Sequence, residues 1–315
     1  MNTTLLKEEL FKYAHSLGID AIGIAPWPLP SEANQILSED TPCPFTRGTL
    51  EERLTAASQI EHPKALIVCL FPYYQKAEQT NLAKYTWGDD YHLIVPQYLE
   101  KLGQFLVEQV SALHADNINY TRALSTEKPI GVQYEIHCDT SPLADRYGAY
   151  LAGLGFYGKN RCLINPTFGS FTNIGSLLVN IALPPDSPLK IDCGECNRCI
   201  KVCPGQSLNT NRFQFETCKS YLTQKKGELT KEEINIIQKT PLIFGCDVCQ
   251  DVCPYNAAIP ITTIPEFTHI TPFISAEEIE TLTNREFKSL FGHKAFSWRG
   301  KKLLLRNLNI IKERL

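Results

Sequence analysis

Two stretches decide the fold of this 315-residue chain: "CGECNRCIKVCPG", residues 193–205, and "CDVCQDVCPYN", residues 246–256. The first sets Cys193, Cys196, Cys199 and Cys203 at the spacing C-x₂-C-x₂-C-x₃-C and follows them with Pro204. That is the spacing of a bacterial iron–sulfur run. Its two-residue gaps wrap a tight loop around one cubane, and its fourth thiol ligates the other cluster. The second stretch repeats the pattern with one thiol fewer: Cys246, Cys249, then Cys253 before Pro254. Under the crossing rule Cys253 completes the set of Cys193, Cys196 and Cys199, while Cys203 joins Cys246 and Cys249. One ligand is still missing. Cys218 in "FETCKSYLT", between the runs, is the nearest candidate. Eight thiols so arranged hold two 4Fe-4S clusters. The competing reading is a pair of structural Cys₄ zinc sites, which usually come as separated C-x₂-C pairs.

The remaining cysteines, Cys43, Cys69, Cys138 and Cys162, have no ligand spacing and read as packing residues. The N-terminus, "MNTTLLKEELFKYAHSLG", carries acidic residues at helical spacing and no cleavable signal pattern. No apolar run approaches the ~20 residues of a membrane span. A cytoplasmic protein with no membrane partner is expected, and in that compartment dense cysteines serve as ligands and not as disulfides. The net charge of -3 gives no overall nucleic-acid signal. The tail differs: from Arg285 to Leu315 there are nine Lys or Arg against two Glu.

Periodicity predicts a helix from Thr4 to Leu17, a strand in "DAIGIAP" ending at Pro26, and a long Pro/Ser/Thr-rich loop from Trp27 to Ile60 with one short helix. "KALIVCLFPYY" is a buried strand, and Tyr91 to His114 a long helix with Pro96 near its start. "INYTRALS", "VQYEIHCD" and "NIGSLLVNIALP" read as further strands. In "SPLADRYGAYLAGLG", Ser141 is placed to cap a helix, Pro142 to sit in its first turn and Gly155 to end it. Thr230 with Glu233, and Ser275 with Glu278, form capping-box signatures. The prolines of "LPPDSPLK" mark a boundary. The expected organisation is an α/β (α+β) domain over residues 1–183, a ferredoxin-like two-cluster domain over 184–260, and a helical basic segment over 261–315. In that last segment Arg299, Lys301, Lys302 and Arg306 suit phosphate contacts, which position a nucleic acid without reading its sequence. A solvated helix face explains the same charges.

Asp139 stands just past a strand, where neighbouring helix amides would keep a carboxylate ionised. A structural Asp and a general acid both fit its position.

"CDTSPLADR", "AGLGFYGKN", the complete and incomplete cysteine runs, and "FSWRGKKLLLRN" occur in this order over almost the whole chain. Together they closely resemble the epoxyqueuosine reductases, cobalamin-dependent iron–sulfur enzymes related to reductive dehalogenases. The resemblance implies a cobalamin-binding first domain and reduction of epoxyqueuosine to queuosine at the wobble position of tRNA, the last step of queuosine synthesis. It implies Asp139 as proton donor and the same eight cysteine ligands with the same crossing. It also implies that Arg53, Lys159, Asn160, Ser220, Tyr221 and Asp247 line the corrinoid or its approach. Implied partners are the modified tRNA and an external flavodoxin- or ferredoxin-type electron donor, with the enzyme a monomer. Two departures stand out. Many members continue into a helical-repeat extension past the point where this sequence stops, and Phe156-Tyr157 stand where Trp-Ile is more usual.

As an acid, Asp139 must carry a proton when it acts, which favours a pKa raised by burial near the corrin. "DYHLIV", Asp90–Val95, has the Asp and His of the D-x-H-x-x-G cobalamin motif but not its glycine. His92 is therefore read as an ordinary helix-start residue and not a cobalt ligand. The main alternative is a two-cluster electron-transfer protein without corrinoid; a non-catalytic zinc-containing RNA-binding module is the other.

Overall fold

The computed structural model describes residues 2–31, 43–55, 58–118, 131–208 and 213–312. All of the "INYTRALS" segment after Ile118, which ends a helix, and part of the 27–60 loop lie outside these residues.

Strand β2 (Ala65–Pro72) is the centre of the first domain. Every residue from Ala65 to Phe71 is at most 1 % exposed. A strand reads as a continuous apolar run when both faces of its sheet are covered, and here both are. Alternate side chains point to opposite faces. Ile67, Cys69 and Phe71 pack with Val95, Leu99, Leu102 and Leu106 of helix α3 (Tyr91–Ile118) and with Leu6, Leu10 and Ala14 of α1 (Thr3–Ser16). Leu66, Val68 and Leu70 pack with Leu143, Tyr147 and Ala149 around α4 (Asp145–Leu151). Each such fully buried Leu, Ile or Phe contributes roughly 1.5–3 kcal/mol.

The sheet has the order β1-β2-β6-β3, with β1 (Ala21–Pro26), β3 (Tyr134–His137) and β6 (Thr172–Val179). All three pairings are antiparallel. The alternation of strands and helices thus builds an α+β layer and not a parallel α/β sheet. Helix α4 lies close on the sheet: a Cβ at Gly23 of β1 would fall 2.3 Å from the Ala152 carbonyl oxygen. A short helix, α2 (Leu50–Thr55), and a two-stranded ribbon, β4 (Phe156–Tyr157) with β5 (Leu163–Ile164), complete this layer.

Helix α4 begins later than "SPLADRYG" suggests. Its N-cap is Ala144, without a side-chain cap, so neither Ser141 nor Pro142 opens it. The Ala144 N–H donates instead to the Arg53 carbonyl at 2.8 Å, and residues 139–143 stay outside the helix as a turn.

Each cysteine run leads into a short helix, α5 (Arg198–Val202) and α8 (Val248–Asp251), and the two pack on each other. Between the runs lie α6 (Lys219–Leu222) and α7 (Lys231–Gln238), the latter with the expected Thr230/Glu233 capping box. After them come α9 (Ala276–Glu280), capped by the Ser275/Glu278 box, then α10 (Asn284–Phe291) and the basic helix α11 (Lys301–Lys312).

These regions interlock. Asn81 donates its amide to the Ile274 carbonyl at 2.7 Å and accepts from the Ile274 N–H at 3.0 Å. Leu82 and Trp87 belong to the apolar cluster of α9, α10 and α11. A buried chain of Ser170, Gln250 and Asn256 joins the first domain to the second cysteine run.

Candidate active site

A cavity of about 940 Å³ opens between the first domain and the C-terminal segment. That is at the upper end of the range for ligand pockets. Asp90, Tyr91, His92, Asp139 and Arg146 line one side; Gln224, Trp298 and Arg299 line the other.

Asp139 sits at the centre of a three-residue turn, with the Thr140 N–H bonded to the Cys138 carbonyl and a φ of 52°. A non-glycine residue in this region carries backbone strain, which persists where the surroundings enforce it. The surroundings here are the first turn of α3. The Tyr91 hydroxyl donates to Asp139 Oδ2 at 3.0 Å, and His92 Nε2 lies 3.0 Å from the same oxygen. His92 Nδ1 is 2.7 Å from Asp90 Oδ1. The Tyr91 and His92 rings stack at 4.1 Å.

An imidazole with a carboxylate on each nitrogen must donate from both, because ionised carboxylates only accept. His92 is thus an imidazolium. Burial disfavours its charge, but the hydrogen bonds and charges of Asp139 and Asp90 prevail and raise its pKa to about 9. Burial also pushes Asp139 up, yet the bond and charge of His92, the Tyr91 hydroxyl and the Arg146 charge outweigh it and hold the carboxyl below its ordinary value. The expected upward shift is therefore reversed: the resting proton is on His92. His92 does stand at the helix start, as expected, and beyond that it pairs with Asp139. With both nitrogens engaged it offers none to a metal. The signal was in "DDYH": residues 91 and 92 open a helix, but no local pattern placed Asp139, 47 residues away, against them.

The cysteines gather in two groups. Cys193, Cys196, Cys199 and Cys253 line one small cavity together with Lys159, Asn160 and Tyr255. In the other group the Cys218 thiol feels the charge of Cys203, and Cys246 and Cys249 each feel that of Cys218. Backbone N–H groups point at the sulfurs: Lys159 to Cys193 at 3.4 Å, Ser207 to Cys203 at 3.3 Å, Ser220 and Tyr221 to Cys218. Such donors favour anionic thiolate ligands. Asn160 is 6 % exposed, and its Nδ2 has no partner among the described residues, a buried donor that fits a cluster sulfide. Among the described residues no three His, Cys, Asp or Glu side chains converge to hold one metal ion.

The second group adjoins the large cavity. Gly245, just before Cys246, packs against Tyr85, where a Cβ would lie 2.9 Å from the ring, and Tyr85 lines the cavity.

Of the six residues expected to line a corrinoid or its approach, Arg53 lines this cavity and the other five do not. Lys159 and Asn160 line the first cysteine cavity, and the Lys159 ammonium donates to the Gly194 carbonyl at 2.7 Å. Ser220 and Tyr221 adjoin Cys218. Asp247, 2 % exposed, accepts from the Lys84 N–H at 2.7 Å. In the tail, Lys301 donates to the carbonyls of Ile279, Glu280 and Leu282. Arg306 donates to those of Lys225 and Gly227. Both give their donors to the fold. Arg299 lines the cavity and Lys302 is exposed.

Residues 53–140 match the family described as "Epoxyqueuosine reductase QueG, DUF1730", and residues 192–256 match "4Fe-4S double cluster binding domain". The epoxyqueuosine reductase of Bacillus anthracis is 31 % identical over 98 % of this chain and 80 % of its own length. The chain belongs to the epoxyqueuosine reductase family. Among solved epoxyqueuosine reductases, one with an epoxyqueuosine-modified tRNA-Tyr stem loop superposes with a TM-score of 0.81 at 29 % identity, covering 98 % of this chain and 81 % of that one. The Bacillus subtilis enzyme, captured with its catalytic aspartate loop swung out of the active site, superposes at 0.82, also at 29 % identity, over 98 % and 82 % of the two chains. The fold is that of the epoxyqueuosine reductases, the double-cluster domain is present, and the protein is an oxidoreductase.

Proposed function

We infer that this chain reduces epoxyqueuosine to queuosine at the wobble position of tRNA, with Asp139 delivering a proton that His92 stores. The observation that carries this reading is the carboxylate–imidazolium pair on the wall of a large cavity beside the second cysteine group. A plain electron carrier needs no such cavity.

The reaction takes up two electrons and two protons and releases one water as the epoxide becomes an alkene. Cys193, Cys196, Cys199 and Cys253 are assigned to one cluster, and Cys203, Cys218, Cys246 and Cys249 to the other. The cavity's size and its mixed polar and apolar wall fit a large polar cofactor, and Arg53 is placed to hold one. A corrinoid held there would supply low-potential reducing equivalents for epoxide opening. His92 passes its proton through Asp139 to the oxygen freed from one carbon of the epoxide, so that a neutral hydroxyl forms on the ring and not a bare alkoxide. Asp90 holds the ring in place and supports its charge. Tyr91 fixes the carboxylate. A second proton, taken from bulk solvent, lets that hydroxyl depart as water and leaves the alkene.

The wobble nucleotide is expected to leave the anticodon stack to reach the cavity. Arg299, in the turn before the basic helix, and Lys302, on it, are the tail cations placed for phosphate contact, while Lys301 and Arg306 give their donors to backbone carbonyls of the fold. No helix among the described residues is long and apolar enough to cross a membrane. A cytoplasmic site of action and an external small electron carrier follow from the tRNA substrate and the clusters.

The test is conversion of epoxyqueuosine-bearing tRNA by anaerobic, cobalamin-loaded protein with a chemical reductant, read as loss of one oxygen from the modified nucleoside. No conversion with both clusters intact would overturn the reading.

A further inference from the structure

We propose that Trp298 is a stacking platform for an unmodified nucleobase flanking the wobble position, at the rim of the Asp139 cavity. The proposal rests on the tRNA reading above and names a contact that the reading does not contain.

The short turn Ala295–Arg299 buries Ala295 and Phe296 and turns Trp298 outward, where it is 53 % exposed. Single exposed apolar side chains are common and need no explanation. This one is held in place. Its indole N–H donates to Gln224 Oε1 at 3.2 Å, and Gln224 is itself anchored by donating to the Ser220 carbonyl at 3.0 Å. The Arg299 guanidinium lies 3.6 Å from the indole centroid. Phe45, 39 % exposed, meets the indole edge-on at 5.6 Å and takes the same guanidinium over its ring at 4.8 Å. Phe45, Trp298 and Arg299 all line the cavity that holds Asp139. Other large exposed apolar residues, Leu5, Ile261 and Leu290, do not.

A planar ring fixed by a hydrogen bond and a cation gives up little further freedom when a ligand stacks on it. Aromatic rings and arginine planes are the surfaces on which single-stranded bases stack, and they accept any base. The need is set by the reaction. Extruding the wobble nucleotide into the cavity strips its neighbours of a stacking partner. A half-exposed indole at the mouth replaces that partner at the point where it is lost. Arg299 adds a second reason: its guanidinium lies over both the Trp298 and Phe45 rings, so a cation stands beside the platform.

The experiment measures the Kd of cluster- and cobalamin-loaded protein for an anticodon stem loop carrying epoxyqueuosine. It compares wild type, Trp298→Ala and Trp298→Phe, each against the complete stem loop and against stem loops abasic on the 5′ or the 3′ side of the wobble nucleotide. Trp298→Ala should weaken binding of the complete stem loop by roughly fivefold or more, and Trp298→Phe by less. The Trp298→Ala penalty should vanish on one of the two abasic stem loops. A penalty that persists on both abasic stem loops, or no penalty on the complete one, overturns the platform while leaving the tRNA reading intact. Failure of the wild-type protein to bind the stem loop would overturn both.

Discussion

His92 Nε2 lies 3.0 Å from Asp139 Oδ2, and the pair closes across 47 residues of sequence at the edge of the cavity. The geometry makes the carboxylate the conduit and the imidazolium the store. An aspartate held below its ordinary pKa is a poor acid alone. Coupled to a protonated histidine, it passes on a proton without having to carry one at rest.

A pH dependence follows. The His92 pKa is raised to about 9, so the pair is intact below its ordinary value of 6.5 and is lost as pH rises through about 9. Asp139 is held below its ordinary 3.8, so its share is present above that value and is lost only as pH falls through the lowered one. Turnover should therefore decline on the alkaline side near pH 9. His92→Gln, which hydrogen-bonds but does not titrate, should lower kcat by about 10-fold to 100-fold and remove that limb. The check is kcat against pH for both proteins; an alkaline limb unchanged in His92→Gln would show that another group sets it.

The crossing of the cysteines predicts which variants behave alike. Cys253→Ala should perturb the same electron paramagnetic resonance signal as Cys193→Ala, although 60 positions separate them. Cys203→Ala should resemble Cys246→Ala. Cys218→Ala should lose about four irons of about eight, or leave a three-iron species at the second site. Wild-type iron content in Cys218→Ala would mean that a different residue completes that cluster.

Asn81 ties the segment after β2 to the C-terminal unit. It is 4 % exposed, and both of its amide bonds go to Ile274. Asn81→Ala strands a buried N–H and a buried carbonyl, each costing about 1–3 kcal/mol. Urea unfolding should show a loss of about 2–4 kcal/mol; an unchanged midpoint would mean that these groups find other partners.

Much of this was legible locally. The apolar run Ala65–Phe71 gave away a strand covered on both faces, and Thr230/Glu233 and Ser275/Glu278 marked two helix starts. A third box, Thr283/Glu286, carried the same signature unread. The cysteine spacing specified chemistry because cluster geometry is imposed by the ligand and not by the fold. What escaped was long-range. Periodicity carries no strand order, so the antiparallel sheet was invisible. The Asp139 turn is set by contacts with Tyr91 and His92, not by "CDTSP", and so Ser141 and Pro142 looked like a helix start. Lys301 and Arg306 read as surface charge because no pattern announces that a long cation will end on backbone carbonyls. Lys159, expected at the corrinoid or its approach, gives its donors to the first cysteine loop.

The central claim is that Asp139 delivers the proton to the epoxide oxygen. The most direct measurement is single-turnover formation of queuosine in a modified stem loop by Asp139→Asn carrying full iron and corrinoid, beside wild type. The rate should be lower by about 10²-fold to 10⁴-fold with iron content and corrinoid spectrum unchanged. Queuosine formed at the wild-type rate would contradict it.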